Sequence, residues 1–371
     1  ENAALNAASI LKKWKASGII SQDQLPGIYV YYQYFTLSGG HKELCRKGFI
    51  CNIKAYDWNE KQIFRHENTI PKSVNDRIDL LEKTKLNVSP THGLYTDVNH
   101  ELEAYMDEAI LNPVFVTEDY QGVKDVLAII DEPEIVKYFI DLIADKKIIL
   151  ADGHHRYEGS LEYRKSCMKA NKNHTGFEAY NYHMMYFTNT ESDDLRVLPT
   201  HRLLHGLDNF NETQLLNALS EFFIVKELED AFAVNEIILG KPWAFGLIFK
   251  DSTYKLRLKP EMIGSISWPF PEVVKELDLT VMHYFIFEKV LGIKGNAQRT
   301  SENISFDRNF TDCVAKVMKG EAQAALITND ISMKTIKQVC ESGYTMPQKS
   351  TYFYPKVICG FLFSSIEENE F

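Results

Sequence analysis

The chain has 371 residues, enough for about two or three domains, and its 45% hydrophobic and 25% charged residues are ordinary for a soluble globular protein. A formal net charge of -10 without any long basic tract argues against nucleic acid as the main partner, because phosphate-backbone binding needs clustered Lys and Arg. A small anionic ligand stays compatible with this balance, since a local cationic pocket can sit on an acidic protein.

Cys45, Cys51, Cys167, Cys313, Cys340 and Cys359 are scattered and form no Cys-x-x-Cys pair. They read as free thiols of a reducing cytoplasm, and a cysteine zinc site is not expected. No apolar run has the length of a membrane span, and no signal peptide is visible. Glu1-Asn2-Ala3-Ala4 opens without Met inside a helical pattern, so the natural protein is expected to begin upstream.

In chain order, residues 3–17 predict an amphipathic helix. Ile28–Phe35, rich in aromatic and β-branched residues, predicts a strand that turns at Gly39-Gly40 and pairs with Gly48–Tyr56. Helices are expected at Val74–Leu86 and Glu101–Ile110, and strands at Thr91–Thr96, Val114–Thr117 and Val123–Ile130. Pro133 starts a helix in which Ile135, Val136, Phe139, Ile140 and Ile143 recur at helical spacing. The strand Lys147–Ala151 and a helix from about Arg156 to Lys169 follow, then the strand Tyr182–Thr188. A domain boundary is expected near His205–Asn209, dividing the chain into residues 1–204 and 205–371. Beyond it the pattern predicts the helix Glu212–Phe222, the strand Phe223–Lys226 and a hairpin of Trp243–Lys250 with Thr253–Lys259. A helix Leu279–Leu291 follows, then helices Phe310–Met318 and Ser332–Gly343 flanking the strand Ala322–Thr328, and a last strand Val357–Phe363. Strands and helices mix without strict alternation, which gives an α+β class with mixed sheets and packed helices.

The most informative stretch is Ile148 to Glu158, where an apolar strand ends in Asp152-Gly153-His154-His155-Arg156 and a helical pattern begins at once. Loops from a strand to a helix N-terminus lie where ligands bind, and the N–H groups of a first helical turn favour anions. Asp152 can hold a metal ion or accept a proton, and Gly153 lets backbone approach a ligand. His154 and His155 can donate to phosphate or exchange protons, and Arg156 can clamp an anion with two parallel bonds. The bland alternative is a capping Asp, a turn Gly and solvent-facing His and Arg, but capping asks for only one of the five. Adjacent histidines are a poor zinc chelate on a helix.

Three further clusters follow. In Arg65-His66-Glu67-Asn68-Thr69, Glu67 is a candidate general base and His66 a donor, against the alternative of a hydrophilic strand exit with Thr69 starting a turn. In Leu198-Pro199-Thr200-His201-Arg202-Leu203, His201 and Arg202 follow a Pro-fixed bend that can equally be a surface turn. In the run Met346 to Lys356, Lys349, Ser350 and Thr351 can meet phosphate, or can simply form a proline-bounded strand entry. No Walker loop, Gly-x-Gly-x-x-Gly, Gly-x-Ser-x-Gly or His-Glu-x-x-His is present, which disfavours familiar kinases, dinucleotide enzymes, serine hydrolases and zincins.

These four clusters, in this order, resemble a bacterial and archaeal family known as domain of unknown function number one thousand and fifteen, and the resemblance runs over the whole chain. Members of that family carry an upstream Pro-Pro-Tyr-Asp-like segment, which this sequence lacks. The Asp-Gly-His-His-Arg string also resembles the Asp-Gly-His-x-Arg signature of the ParB and sulfiredoxin-like fold, a group that includes nucleotide-dependent kinases of free L-serine. The resemblance implies a cytoplasmic phosphotransferase using ATP or ADP with Mg²⁺, and a partly ParB/sulfiredoxin-like fold. Asp152 to Arg156 would hold the nucleotide phosphates, Asp152 the Mg²⁺, and Glu67 would take the hydroxyl proton. His66, Thr69, Gly153, His201, Arg202, Lys349, Ser350 and Thr351 would bind substrate or phosphate. A nucleotide-binding regulatory module of ParB-like type, and a metal-dependent hydrolase using Asp152, His154 and Glu67, stand as alternatives.

Overall fold

The computed structural model describes residues 2–295 and 297–370. The chain forms two compact units, the first of Glu1–Arg196 with Pro355–Phe371, the second of Val197–Tyr354. The class is α+β, as the patterning implies. Among the described residues no helix is long and apolar enough to cross a membrane.

The first unit is built on an eight-stranded mixed sheet. Its strands are β1 (Ile28–Thr36), β2 (Glu43–Lys54), β3 (Ile63–Arg65), β5 (Thr91–Tyr95), β6 (Phe115–Glu118), β7 (Lys124–Ile130), β8 (Ile148–Asp152) and β9 (Tyr182–Asn189); the short β4 (Leu86–Asn87) pairs apart from it with Ser364–Ser365. The order across the sheet is β3-β8-β5-β9-β2-β1-β7-β6. β3 with β8 and β5 with β9 are parallel, and the other neighbours are antiparallel.

Alternation along the strands makes two different faces. Val30, Tyr32, Phe49, Leu150, Met185 and Phe187 point to one face, where Phe139 of the helix Pro133–Ala144 and Tyr157 and Leu161 of the helix His154–Ala170 cover them. Tyr31, Ile50, Leu127, Met184 and Tyr186 point to the other, where Val357, Ile358, Phe361 and Leu362 of the returning C-terminal segment cover them. That segment is the apolar run read from sequence as a last strand, and the structure corrects the reading. Residues 357–363 form no ladder, because they lie across a sheet face and meet no strand edge.

The short β10 (Arg196–Leu198) pairs with the strand Tyr352–Tyr354. In the second unit β11 (His201–Leu204), β12 (Phe223–Leu228), β13 (Ala244–Ile248), β14 (Thr253–Leu258), β15 (Ile304–Asp307) and β16 (Ala324–Ile327) form an antiparallel sheet in the order β12-β14-β13-β16-β11-β15. Leu219, Phe245, Leu256 and Phe285 pack one face, and Leu203, Val234, Val314 and Ala325 the other. The single helix expected at Leu279–Leu291 is instead one α-helical turn, Asp278–Val281, running into a π-helix at Met282–Val290. Wider π turns are often found at functional sites, though here Phe285 and Ile286 are plain core residues.

Candidate functional site

β3 and β8 run in parallel with Ile63 opposite Ile148 and Arg65 opposite Leu150, so the two strands end on the same edge of the sheet. The chain leaves β3 into His66-Glu67 and leaves β8 from Asp152 into the helix His154–Ala170. Two of the four sequence clusters are thereby brought together at carboxyl strand ends, where open sheets bind ligands. The rings of His66 and His154 meet edge to face, 4.8 Å between centroids. The Ile70 N–H, one residue past Thr69, donates to His155 Nε2 at 3.0 Å. His155 thus pins the exit of the first cluster to the first turn of the helix.

Asp152 caps no helix. Its Oδ1 accepts from Lys356 Nζ at 2.8 Å and its Oδ2 from Arg156 Nη2 at 3.1 Å. Burial works against the Asp152 charge, but the Lys356 ammonium and the Arg156 guanidinium outweigh it and hold the carboxyl at about 2. Arg156 is fixed in turn, because its Nη1 donates to Ser89 Oγ at 2.8 Å and to the Pro90 carbonyl at 2.7 Å. The residue that follows Asp152 must be glycine. Gly153 has φ +90°, and a Cβ there would stand 2.7 Å from Thr91 Cγ2. The helix therefore starts at His154, two residues earlier than its apolar pattern suggests, and both histidines sit in its first turn.

The two histidines differ. His154 is buried and His155 half-buried, so only the second is disposed toward a ligand. Burial pushes His66 down to about 4 and His154 well below the ordinary range, so both rings are neutral at pH 7. His154 Nε2 has no hydrogen-bond partner among the described residues. Close by, Thr91 Oγ1 and Ser160 Oγ bracket His183 at 2.9 and 2.8 Å, and burial holds that ring at about 3.

The third cluster and the fourth as far as Tyr354 lie in the second unit and are joined there, while Lys356 at the end of the fourth belongs to the first. Arg202, fully buried, donates to the carbonyls of Thr200, Gln348 (3.2 Å) and Lys349 (3.4 Å), with its guanidinium over the Phe306 ring. It thereby shapes the loop carrying Lys349, which is exposed with φ 57°, and Ser350, whose hydroxyl donates to the Pro347 carbonyl. Thr351 is half-buried on the way to the strand Tyr352–Tyr354. His201 is buried on β11, and its Nδ1 accepts from the Thr328 N–H at 3.3 Å.

A feature the motifs do not announce lies on the first unit's sheet, on the face under the C-terminal segment. Opposite residues on paired strands share a face. Asp152 stands opposite His92 across a register shift between His92 and Gly93, which turns it from the face of Leu150 toward Lys356, while Arg46 is opposite Gln33 and Gln33 opposite Asp125. Tyr186 and Thr188 of β9 fill the gap between His92 and Arg46, with His92 Nε2 2.7 Å from Thr188 Oγ1. A polar row thus crosses six strands in two stepped parts, Asp152–His92 and Arg46–Gln33–Asp125, because Tyr186 stands opposite Ile50 and not Arg46; the Tyr186 ring joins the parts, and apart from half-buried Asp152 the members are buried. The sequence signal was available at Gln33, which interrupts the aromatic and β-branched run of β1.

Three solved structures are similar to this chain at a low level. A free serine kinase in complex with AMP is 12% identical, with 82% of this chain and 86% of that one covered and a TM-score of 0.41. A conserved hypothetical protein from Pyrococcus furiosus is 13% identical, with coverage of 87% and 97% and a TM-score of 0.42. SbnI with a C-terminal truncation, from Staphylococcus aureus, is 13% identical, with coverage of 85% and 87% and a TM-score of 0.40. Likeness of this degree carries no argument about activity. No curated protein matches the chain. The model of the family described as "Protein of unknown function (DUF1015)" matches residues 1–280, well over half of the sequence, and the chain belongs to that family.

Proposed function

We propose that the protein is a nucleotide-dependent phosphotransferase acting on a small molecule, with free L-serine as the favoured acceptor. The observation that supports this most is the meeting of Glu67's strand exit with the Asp152–Arg156 junction at one sheet edge, with Lys356 and Arg156 flanking Asp152.

Phosphoryl transfer depends on positioning and charge neutralisation more than on covalent help from the protein. The Gly153 backbone, the first-turn N–H groups of the helix His154–Ala170 and His155 would receive the phosphates of ATP or ADP. Asp152 is a single, strongly acidic carboxylate, which fits a Mg²⁺ that arrives with its nucleotide and needs only one or two protein carboxylates. Bound there, Mg²⁺ would neutralise charge on the bridging phosphate oxygens. Among the described residues no group of three or more His, Cys, Asp or Glu is placed to hold a metal ion, so the hydrolase alternative gains no support. Glu67 would take the proton of the acceptor hydroxyl. The oxygen–phosphorus bond to the acceptor forms, the bond to the bridging oxygen breaks, and the nucleotide leaves one phosphate shorter.

The test is consumption of ATP and ADP with Mg²⁺, screened against amino acids and sugars. Turnover that depends on both L-serine and Mg²⁺, and is lost in Asp152→Asn, is expected. Turnover unchanged in Asp152→Asn contradicts the reading, and slow turnover indifferent to every acceptor favours the regulatory alternative.

A further inference from the structure

Arg46 sits in the middle of the polar row and is 1% exposed. Its Nη2 donates to Gln33 Oε1, and its guanidinium lies over the Tyr186 ring at 5.4 Å. Its Nε and Nη1 are buried without a hydrogen-bond partner among the described residues. Asp125, the nearest acid of the row, is separated from it by Gln33, whose Nε2 donates to Asp125 Oδ1 at 2.8 Å. Tyr31 also donates to that carboxylate, so Asp125 is satisfied without Arg46. Burying a guanidinium without a counter-charge is costly, and proteins bury charges paired. A buried cation with two unpartnered nitrogens, on the same sheet face as the phosphate-site candidate, is suited to receive an anionic group.

We infer that Arg46 receives the carboxylate of the acceptor, so that the substrate class is a small hydroxy acid and not a simple alcohol. This rests on the phosphotransferase reading above. Arg46 and Asp152 are linked on this face through His92 and Tyr186: Asp152 stands opposite His92, whose ring is 5.2 Å from the Tyr186 ring, and the Arg46 guanidinium is 5.4 Å from that same ring. The hydroxyl then points to the Asp152 end and the carboxylate to the Arg46 end, with His92 and Thr188 beneath the acceptor.

The C-terminal segment covers this face. It is seated on the row by the Lys356 carbonyl, which accepts from Gln33 Nε2 at 2.9 Å, and by the Ile358 N–H, which donates to Tyr31 Oη at 3.2 Å. Cys359 and Gly360 at its crest are exposed. The segment contributes no strand to the sheet and covers Tyr31, Ile50 and Tyr186 beside Arg46.

The experiment compares the full chain with Arg46→Met and Arg46→Lys, using L-serine, glycolate and ethanolamine, the last an amino alcohol without a carboxylate. Circular dichroism and ADP affinity serve as controls for folding. In Arg46→Met, kcat/KM for L-serine is expected to fall about 10- to 100-fold, the range for losing a hydrogen bond to a charged group, while ethanolamine turnover and ADP affinity stay unchanged. Arg46→Lys, which keeps the cation, is expected to fall less. Equal losses for L-serine and ethanolamine, or a loss of ADP affinity with L-serine unaffected, overturn the assignment; the second result would place a nucleotide phosphate at Arg46. Calorimetry with glycolate stands apart from turnover. If no alcohol is phosphorylated, the function fails, yet glycolate binding that Arg46→Met abolishes still supports the anion site. Glycolate binding that is absent, or indifferent to Arg46→Met, overturns it. If Arg46→Met does not fold, the Arg46→Lys comparison decides, with an unchanged serine-to-ethanolamine ratio counting against the site.

Discussion

Lys356 places its ammonium 2.8 Å from the Asp152 carboxylate, although the two residues are 204 positions apart in the chain. The contact joins the C-terminal segment to the junction between β8 and its helix, and it sets the charge of the candidate site. Asp152 is held at about 2, below its ordinary 3.8. A carboxyl depressed on folding contributes stability that is present above the ordinary value and is lost as the pH falls toward the folded value. Lys356→Met is therefore expected to move the acid-unfolding midpoint to higher pH, followed by circular dichroism between about pH 5 and pH 2. Because the pair is partly exposed, the cost at neutral pH is expected to stay below about 1 kcal/mol. An unmoved acid limb would mean that the pair does not form in solution.

Gly153 is fixed twice over, by φ +90° and by Thr91 Cγ2 at 2.7 Å from where a Cβ would stand. Gly153→Ala is expected to cost about 1–3 kcal/mol through backbone strain, read as a drop in thermal midpoint. Gly176 is the control, since it is also at positive φ but an added Cβ would meet nothing within 4 Å, and Gly176→Ala should cost less.

His66, held at about 4, and His183, held at about 3, are buried neutral in the first unit. Their folded values lie below the ordinary 6.5, so the unfolded chain binds more protons between the two. Stability is expected to be flat above about pH 7 and to fall as the pH drops through about 6.5, each histidine contributing up to about 1.4 kcal/mol per pH unit until its folded value is reached. Urea midpoints at about pH 7, 6 and 5 measure this. His183→Gln, which can keep a bond to Thr91 or Ser160, should flatten the slope, and an unchanged slope would show that His183 is not buried neutral.

Glu67→Gln is expected to lower kcat for the serine-dependent reaction about 100- to 10,000-fold, the usual contribution of a positioned base, with ADP affinity unchanged. Loss of ADP affinity together with kcat would point to a role in shaping the nucleotide site instead.

Much of this architecture was legible in the residues. Pro133 and Glu212 begin helices where the pattern puts them, because a first-turn proline and an Asn211 cap are local signals. The Asp152–Arg156 junction stood out because a buried strand rarely breaks into consecutive polar residues. Its fine structure was less legible. The helix begins at His154 under a left-handed Gly153 that makes no side-chain cap, and a sequence pattern sees only side chains. The run Val357–Phe363 reads as a strand because apolar residues that cover a sheet face look like residues that join a sheet. The polar row was hidden for a related reason. Gln33, Arg46, His92 and Asp125 come from four strands, and only strand pairing brings Arg46, Gln33 and Asp125 into line and Tyr186 between them and His92. Strand pairing across a mixed sheet is a non-local property that no short window contains.

The most direct test of the central claim is phosphorus NMR of the full chain incubated with Mg²⁺, ATP or ADP, and L-serine. The account predicts a phosphomonoester resonance of O-phosphoserine that grows with the loss of nucleotide and is absent in Asp152→Asn. Nucleotide left intact, or converted only to inorganic phosphate at a rate that neither L-serine nor Asp152→Asn alters, would contradict it.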